Sequence, residues 1–351
     1  MVAGVIRRCL AGIAVSLSAF APAALHAAPA EDFYKGRQMI MILSTDVGGG
    51  YQSYANVLIP YLSKHLPGNP RIITQSMPGA GGIRAMNYLY TAAPKDGTRF
   101  GLVHAMSTYA PLFGVEGARY DPRKMNFLGS MDNTSGMCVA WSASGIKTWQ
   151  DMFDKEFLVG SSGAGSQMET LPLMVNKLFG TRIKVISGYR GGNEVFLAME
   201  RGEVHGRCGS MVASITSTRP DWFPQKKVTV PFQIALERDP DFPDAPALGE
   251  FAKDARTRQV LELVVAHMRM DKPVLLPPGV PPERVALLRR AFQAAVTDPG
   301  FVAEAQRQRV QMEPVTSNRV HEILDTAYAM PADVVKAANE ALNITGAAAD
   351  N

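Results

Sequence analysis

Glycine-rich loops carry most of the residues in this chain that could bind a ligand. Three of them read 48-GGGYQS-53, 78-PGAGG-82 and 160-GSSGAGS-166. Glycine permits tight turns that bring backbone N–H groups close to a ligand, and the N-terminus of a following helix adds partial positive charge. Serine hydroxyls in the third loop are further hydrogen-bond donors. Donors of this kind predict a binding site for an anion.

Single positions in these loops argue against nucleotide binding. Gly160 and Gly165 have P-loop spacing, but Ser166 stands where a P-loop needs lysine to reach the phosphates. The second loop opens like a dinucleotide fingerprint, yet Arg84 occupies its last small position and would hold the helix away from the sheet. A backbone cradle for a carboxylate or another modest anion is the interpretation that remains.

The same residues give little support to catalysis or to metal binding. Ser162 lacks a serine-hydrolase elbow, because Ala164 rather than glycine stands two residues after it. The histidines beyond the N-terminal segment are scattered and show no metal-ligand spacing: His65, His104, His205, His267 and His321. We expect no catalytic residue, no metal and no cofactor. An exported enzyme is the alternative of a different class, and it would need a paired nucleophile and base.

Two arginines could contact an anionic ligand directly. Arg190 precedes Gly191 and Gly192, and Arg207 stands at the end of a predicted strand. A guanidinium group makes charge-assisted hydrogen bonds to carboxylates. A solvated arginine or an ion pair between lobes is the open alternative for each.

The elements that must position these loops alternate between strand and helix. Apolar strand-like runs lie before the loops and helical runs follow them, with strands predicted at 38–45, 71–77, 99–105, 136–144, 156–162, 182–189 and 204–210. Residues 111–135 have no clear pattern. Alternation of this kind predicts parallel sheets covered by helices, in which ligands bind at the carboxyl ends of the strands.

Composition and the N-terminus define the broad class. The 351 residues, 46% hydrophobic and 19% charged, suffice for two globular domains. Residues 1–27 have the charged, apolar and small-residue parts of a secretory signal, and the apolar part is too short to span a membrane. The 36 basic residues less Arg7 and Arg8 leave 34 against 32 acidic ones, so nucleic acid is not an expected partner.

Export leaves two cysteines, Cys138 and Cys208. An oxidising compartment allows a disulfide between them. Two buried free thiols are equally compatible with the sequence, because it does not give the distance between the two residues.

Several of these motifs together resemble one family. The run 48-GGGYQSYANVLIPYLSKHLPGNPRIITQSMPGAGG-82, the turn 93-APKDGT-98 and the segment 189-YRGGNEVFLAMERGEVHGRCG-209 are similar to the substrate-binding proteins of tripartite tricarboxylate transporters, the TctC or Bug receptors. The resemblance implies an α/β, type II periplasmic-binding-protein fold. Two lobes would be joined by crossover strands near 136–141 and 263–270 and would close on a ligand by hinge bending. Lobe 1 would comprise 31–140 with 266–351, and lobe 2 would comprise 141–265.

The resemblance also implies a site, a ligand and partners. Members of the family bind small carboxylates through backbone and hydroxyl donors. The matching positions here are Gly49, Gly50, Tyr51, Gly79, Ala80, Gly81, Ser107, Ser161, Ser162, Gly163 and Ser166. We expect a monomeric periplasmic receptor that delivers its ligand to a large and a small membrane permease subunit. A sensor that signals to a membrane kinase is the alternative.

One residue departs from the family pattern. Relatives often carry an acidic residue after the GGGY motif, whereas this chain has Gln52. If that acid selects ligands with an amino or hydroxyl group, its loss would favour plain carboxylates. The hypothesis can be tested by comparing ligand preference in the wild type and in Gln52→Asp.

Overall fold

The computed structural model describes residues 30–45, 50–163, 166–310 and 312–342; the predicted signal segment 1–27 lies outside them. The strands in these ranges are β1 (Gln38–Leu43), β2 (Arg71–Ser76), β3 (Arg99–Leu102), β4 (Asn126–Asp132), β5 (Gly136–Trp141), β6 (Phe157–Ser161), β7 (Ile183–Ser187), β8 (Gly206–Met211), β9 (Val228–Ile234), β10 (Asp271–Leu276) and β11 (Val315–Thr316).

The α-helices of the described ranges alternate with these strands. They are α1 (Ala30–Phe33), α2 (Gly50–His65), α3 (Ile83–Thr91), α4 (Asp151–Asp154), α5 (Gln167–Phe179), α6 (Gly192–Glu200), α7 (Val212–Thr218), α8 (Ala255–Ala266), α9 (Pro282–Val296), α10 (Pro299–Arg307), α11 (Ser317–Tyr328) and α12 (Ala332–Leu342). Short 3-10 turns cover Ala105–Thr108 and His267–Met270.

The strands form two mixed sheets. The first has the order β11-β4-β10-β3-β1-β2, and the second has the order β7-β6-β8-β5-β9. β1, β2 and β3 are mutually parallel, as are β6, β7 and β8, whereas β10 and β5 run antiparallel to their neighbours. The predicted fold class, two α/β units built from strand–loop–helix repeats, is therefore confirmed, but the expectation of purely parallel sheets is wrong because each sheet also contains antiparallel pairs. Of these parallel strands, β2 leads directly into the second glycine-rich loop and β6 into the third.

Local sequence explains why these units form. β1 reads QMIMIL and is buried along most of its length, as expected for a parallel strand covered on both faces. Gly180 ends α5 in the left-handed conformation, with φ of 73°. Asp254 begins α8 by accepting a hydrogen bond from the Thr257 N–H group.

The connections between the sheets differ from the expectation in three respects. Residues 111–135, predicted to be loose, contain β4. β5 lies in the second sheet, so the chain leaves the first sheet at 133–135 rather than at 140. The return passes through the end of α8 and the turn His267–Met270, so the crossover strand expected near 263–270 is wrong. The two crossing segments are joined where the Thr134 N–H group donates to the Met268 carbonyl at 3.0 Å.

The C-terminal helix α12 makes a further connection between the two units. It was expected to belong to lobe 1, but it packs against α5 and α8, which accompany the second sheet. The Lys177 ammonium group of α5 donates to the Glu340 carbonyl at 3.0 Å. On the other side, the Asn339 amide donates to the Phe113 carbonyl at 2.8 Å. Hydrophobic side chains from both units accordingly form one continuous buried cluster.

Cys138 and Cys208 form a disulfide between β5 and β8, with 4.0 Å between their Cα atoms. Both residues are fully buried. Of the two alternatives that the sequence left open, the bridged form is therefore the one present.

Candidate functional site

The second glycine-rich loop holds its backbone in a conformation that L-residues rarely adopt. Gly79, Ala80, Gly81 and Gly82 have φ of 132°, 47°, 60° and 97°. Ala80 and Gly81 are exposed, and their N–H groups make none of the hydrogen bonds found within the described residues. The N-cap of the following helix, α3, has no side-chain cap. The N–H groups of Ala80 and Gly81 therefore lie just before a helix N-terminus without acceptors, which suits an anion.

His104, which the sequence analysis left among the scattered histidines, lies directly beneath this loop. Its Nδ1 atom lies 3.3 Å from Ser44 Oγ, and its backbone N–H group donates to the same oxygen at 2.9 Å. The Tyr51 ring packs edge-on against the imidazole, with 4.7 Å between centroids. A Cβ atom on Gly82 would lie 3.4 Å from His104 Nδ1. His104 therefore joins the ends of β1 and β3 to the first and second loops; its place near the end of the strand predicted at 99–105 was the available signal.

The contact between Ser44 and His104 does not create a nucleophile. Ser44 is only 2% exposed, and its oxygen already accepts the His104 N–H group. Burial lowers the pKa of His104, so the imidazole is neutral at neutral pH. A substrate carbonyl has no access to this serine, and the pair positions the histidine instead.

Ser107 lies beside the second loop, and its hydroxyl donates a hydrogen bond to the protein backbone rather than toward a ligand. The residue is 2% exposed, and its hydroxyl donates to the His104 carbonyl at 2.6 Å. A Cβ atom on Gly82 would lie 3.3 Å from Ser107 Oγ. Ser107 thus fixes the turn on which the second loop rests.

The first loop is described only from its end. Gly49 lies outside the described residues, whereas Gly50 begins α2 and Tyr51 lies on His104. Gln52 turns toward its own helix and β2: its Nε2 donates to Asn56 Oδ1 at 2.8 Å, with Thr74 Oγ1 3.5 Å away. Its effect on ligand preference stays a prediction.

The third loop brings its serines together around an acid. Ser161 is fully buried, and its hydroxyl donates to Glu169 Oε2 at 3.0 Å while accepting the Gly163 N–H group at the same distance. Ser166 Oγ lies 3.2 Å from Ser161 Oγ. Ser162 is exposed and makes none of the described hydrogen bonds. Ser162 and Ser166 are therefore the predicted residues of this loop that can still turn a hydroxyl toward a ligand.

The two arginines lie beside the N-terminus of α6. Arg190 is exposed, and its N–H group donates to Glu194 Oε2 at 2.5 Å. The Arg207 guanidinium packs 4.8 Å from the centroid of the Phe196 ring. Arg207 Nε is buried without a partner among the described residues, and burial lowers the pKa of this group to about 10. Ligand contact by either arginine stays a prediction.

A buried charged cluster stands where the chain crosses between the sheets. Asp132 ends β4 and Lys272 lies near the start of β10, with 3.6 Å between Lys272 Nζ and Asp132 Oδ2. The Tyr54 hydroxyl donates to the same carboxylate oxygen at 2.9 Å. Burial raises the pKa of Asp132 to about 6, and Lys272 offsets only part of that rise. The cluster ties both crossing segments to the first turn of α2.

A cavity of about 410 Å³ opens beside the crossing segments. It is lined by Asn133–Ser135, the segment 234–241 after β9, Met268 and Arg269, together with Val212, Val265 and Glu313. None of the predicted site residues lines it. The glycine-rich loops follow the carboxyl ends of parallel strands, where α/β sheets bind ligands. We therefore place the candidate site at the loops, and this cavity is the alternative binding site.

The described ranges show neither a cluster of metal ligands nor a helix that could span a membrane. They contain no group of three or more histidine, cysteine or acidic residues arranged to hold a metal ion. None of their helices has both the length and the apolar character needed to cross a membrane.

Comparisons with known proteins agree with this architecture. The family described as tripartite tricarboxylate transporter family receptor matches residues 56–326. A TctC solute-binding protein from Polaromonas has a TM-score of 0.64 at 17% identity, covering 86% of this chain and 99% of that one. The malate-bound MatC protein of Rhodopseudomonas palustris has a TM-score of 0.60 at 18% identity, covering 85% and 99%.

The periplasmic binding protein BugD has a TM-score of 0.61 at 18% identity, covering 87% of this chain and 99% of its own. No protein of curated function matches the chain. At such identities the solved structures establish the fold, and the family match extends over most of the sequence. The chain belongs to the receptor family of the tripartite tricarboxylate transporters.

Proposed function

We propose that this protein is a periplasmic receptor that captures a small carboxylate between the second and third loops. The observation that carries the proposal is the second loop, where Ala80 and Gly81 are exposed, their N–H groups have no acceptor among the described residues, and α3 begins two residues later. A carboxylate satisfies such donors and is favoured by the partial positive charge of the helix N-terminus. The malate bound to MatC supports the same ligand class.

Capture requires no chemical step. The carboxylate would accept hydrogen bonds from Ala80 and Gly81, with Gly79 allowing their backbone to turn outward. Gly50 and Tyr51 would bound the site on one side, and Ser162 and Ser166 would approach from the second sheet. Because the two sets of donors lie on different sheets, a ligand that contacts both shifts the equilibrium toward a closed form.

Membership of the receptor family supports our proposals for the compartment, the partners and the lobes of the protein. The predicted signal at 1–27 and the disulfide between Cys138 and Cys208 suit an oxidising compartment such as the periplasm. The receptor would act as a monomer and pass its ligand to a large and a small membrane permease subunit. Lobe 1 would contain the first sheet and lobe 2 the second, with α12 assigned to lobe 2.

The proposal is tested by thermal unfolding against a panel of carboxylates. Mono-, di-, tri- and aromatic carboxylates are each compared with the corresponding primary amide, which has a similar shape but no charge. A ligand at about 100 times its Kd stabilises the folded state by about 2.7 kcal/mol. We expect a saturable rise in the unfolding temperature for at least one carboxylate and none for its amide. A panel without any such rise would contradict the proposal.

A further inference from the structure

Glu169 in the first turn of α5 does not make the bonds that its sequence position predicts. The sequence 166-SQME-169 has the pattern of a capping box, in which the serine and glutamate side chains bond to each other's backbone N–H groups. Ser166 is indeed the N-cap of α5, but its side chain makes no capping bond. The Glu169 carboxylate instead accepts hydrogen bonds from Ser161 at 3.0 Å and Ser187 at 2.6 Å.

These bonds place the acid at the edge of the second sheet where the candidate site lies. Ser161 is the last residue of β6 and Ser187 is the last residue of β7. Both strands are parallel, and the third loop follows β6 directly. Glu169 therefore lies beside Ser162 and Ser166, which the proposed function places against the ligand.

The carboxylate retains the capacity to accept further bonds. Both serine hydroxyls donate to Oε2, and no described residue donates to Oε1. No lysine, arginine or histidine of the described ranges forms an ion pair with Glu169, which is only half-buried. An ionised carboxylate accepts hydrogen bonds and donates none.

This arrangement reduces the number of hydrogen-bond donors that the second sheet presents to a ligand and adds an acceptor. The protons of Ser161 and Ser187 are turned inward onto Glu169, and the Gly163 N–H group is taken by Ser161. A second carboxylate of a ligand would find few donors here and would meet a like charge. A hydroxyl or ammonium group would find a ready acceptor in Glu169.

We infer that Glu169 is a specificity-determining residue that accepts a hydrogen bond from the ligand. The ligand then combines a carboxylate, held by the second loop, with a hydroxyl or ammonium group at its other end, held by Glu169. The inference rests on the proposed function, because it takes the carboxylate to be bound at Ala80 and Gly81.

The test uses straight-chain carboxylates of three to eight carbons, each with a carboxylate, hydroxyl or amino group at the far end. Calorimetric titration of the wild type should show tighter binding of a hydroxy or amino acid than of the dicarboxylate of equal length, by about tenfold or more. Glu169→Gln keeps the acceptor for both serines but removes the charge, and it should reduce this ratio at least tenfold. Glu283→Gln, an exposed first-turn acid of α9, is the matched control and should leave the ratio unchanged.

The outcomes separate the inference from the proposed function. Wild-type binding of dicarboxylates as tightly as hydroxy and amino acids would overturn the inference and leave carboxylate capture intact. The same holds if Glu169→Gln folds and keeps the wild-type ratio. If no member of the series binds, the inference is overturned, whereas carboxylate capture is overturned only if the wider panel of mono-, di-, tri- and aromatic carboxylates also fails to bind. The wild-type comparison decides the matter even if Glu169→Gln fails to fold.

Discussion

Gln167 Nε2 donates a hydrogen bond to His267 Nε2 at 2.8 Å and so joins the start of α5 to the segment that returns to the first sheet. The Nδ1 atom of His267 lies 2.7 Å from the Val264 carbonyl, which can only accept, so Nδ1 carries the proton and Nε2 is the acceptor. His267 is 3% exposed, and its ring also contacts Tyr109, 5.9 Å between centroids. The helix behind the third loop is thus connected to the turn beneath the second loop.

Loss of this bond should lower stability. Gln167→Leu leaves His267 Nε2 as a buried acceptor without a donor, which costs about 1–3 kcal/mol. Gln259→Leu, on the exposed face of α8, is the matched control and should change the free energy of unfolding by less than about 0.5 kcal/mol. Urea denaturation of the three proteins measures the difference. Equal stability of the two variants would show that the bond contributes nothing.

The Asp132 carboxyl should make stability depend on pH. Its folded pKa of about 6 lies above the ordinary value of 3.8, so the folded state binds this proton more tightly than the unfolded state. The resulting stabilisation is fully present below about pH 4 and is lost as pH rises through 6. It amounts to about 3 kcal/mol at most, at 1.36 kcal/mol per pKa unit.

Asp132→Asn tests this assignment, because asparagine keeps an acceptor for Tyr54 and does not titrate. The difference in unfolding free energy between the wild type and the variant should change between pH 4 and pH 7, in the direction that favours the wild type at low pH. Asp254→Asn, at an exposed helix cap, is the control for removing an acid elsewhere. A difference that stays constant over this range would contradict the raised pKa.

The second loop offers a matched pair of glycine variants. Gly81 and Gly36 are both exposed, have φ of 60° and 69°, and have no atoms within 4 Å of an added Cβ. Gly36 lies before β1, at the end opposite the site. Leucine at either position should cost about 1–2 kcal/mol for the left-handed backbone. Gly81→Leu should also abolish carboxylate binding in a calorimetric titration, whereas Gly36→Leu should bind like the wild type. Equal affinity of the two variants would remove the second loop from the site.

The disulfide should contribute substantially to stability. Cys138 and Cys208 are separated by 70 residues, and on the chain-entropy model a loop of this length gives about 4 kcal/mol. The double variant Cys138→Ala, Cys208→Ala should lose about 2–4 kcal/mol in urea denaturation. Reductant should destabilise the wild type but leave the double variant unchanged. A wild type insensitive to complete reduction would contradict this role for the bridge.

The strand–loop–helix units could be predicted from the sequence because each unit is formed by residues that are close together in the chain. The strands β1, β2 and β6, which precede the three glycine-rich loops in the sequence, have the positions expected, since apolar runs bounded by glycine suffice to define them. β4 was not recognised because the segment 111–135 shows no alternation. The docking of α12 on α5 depends on surfaces far apart in the chain, which periodicity does not reveal.

For the candidate site too, the sequence indicated the residues of local motifs but not the contacts between distant parts of the chain. The sequence drew attention to the glycines and serines of the loops, whose types suggest anion binding. It did not indicate His104, because its contacts with Ser44 and Tyr51 come from different strand ends. It did not indicate Glu169 either, because the two serines that donate to its carboxylate stand at the ends of different strands.

A crystal structure of the protein with the tightest-binding carboxylate of the panel shows directly where the ligand binds. We expect the ligand carboxylate within hydrogen-bond distance of the Ala80 or Gly81 N–H group, with Ser162 or Ser166 approaching from the second sheet. A ligand in the cavity lined by Asn133–Ser135 and Arg269, with the second loop empty, would contradict this expectation.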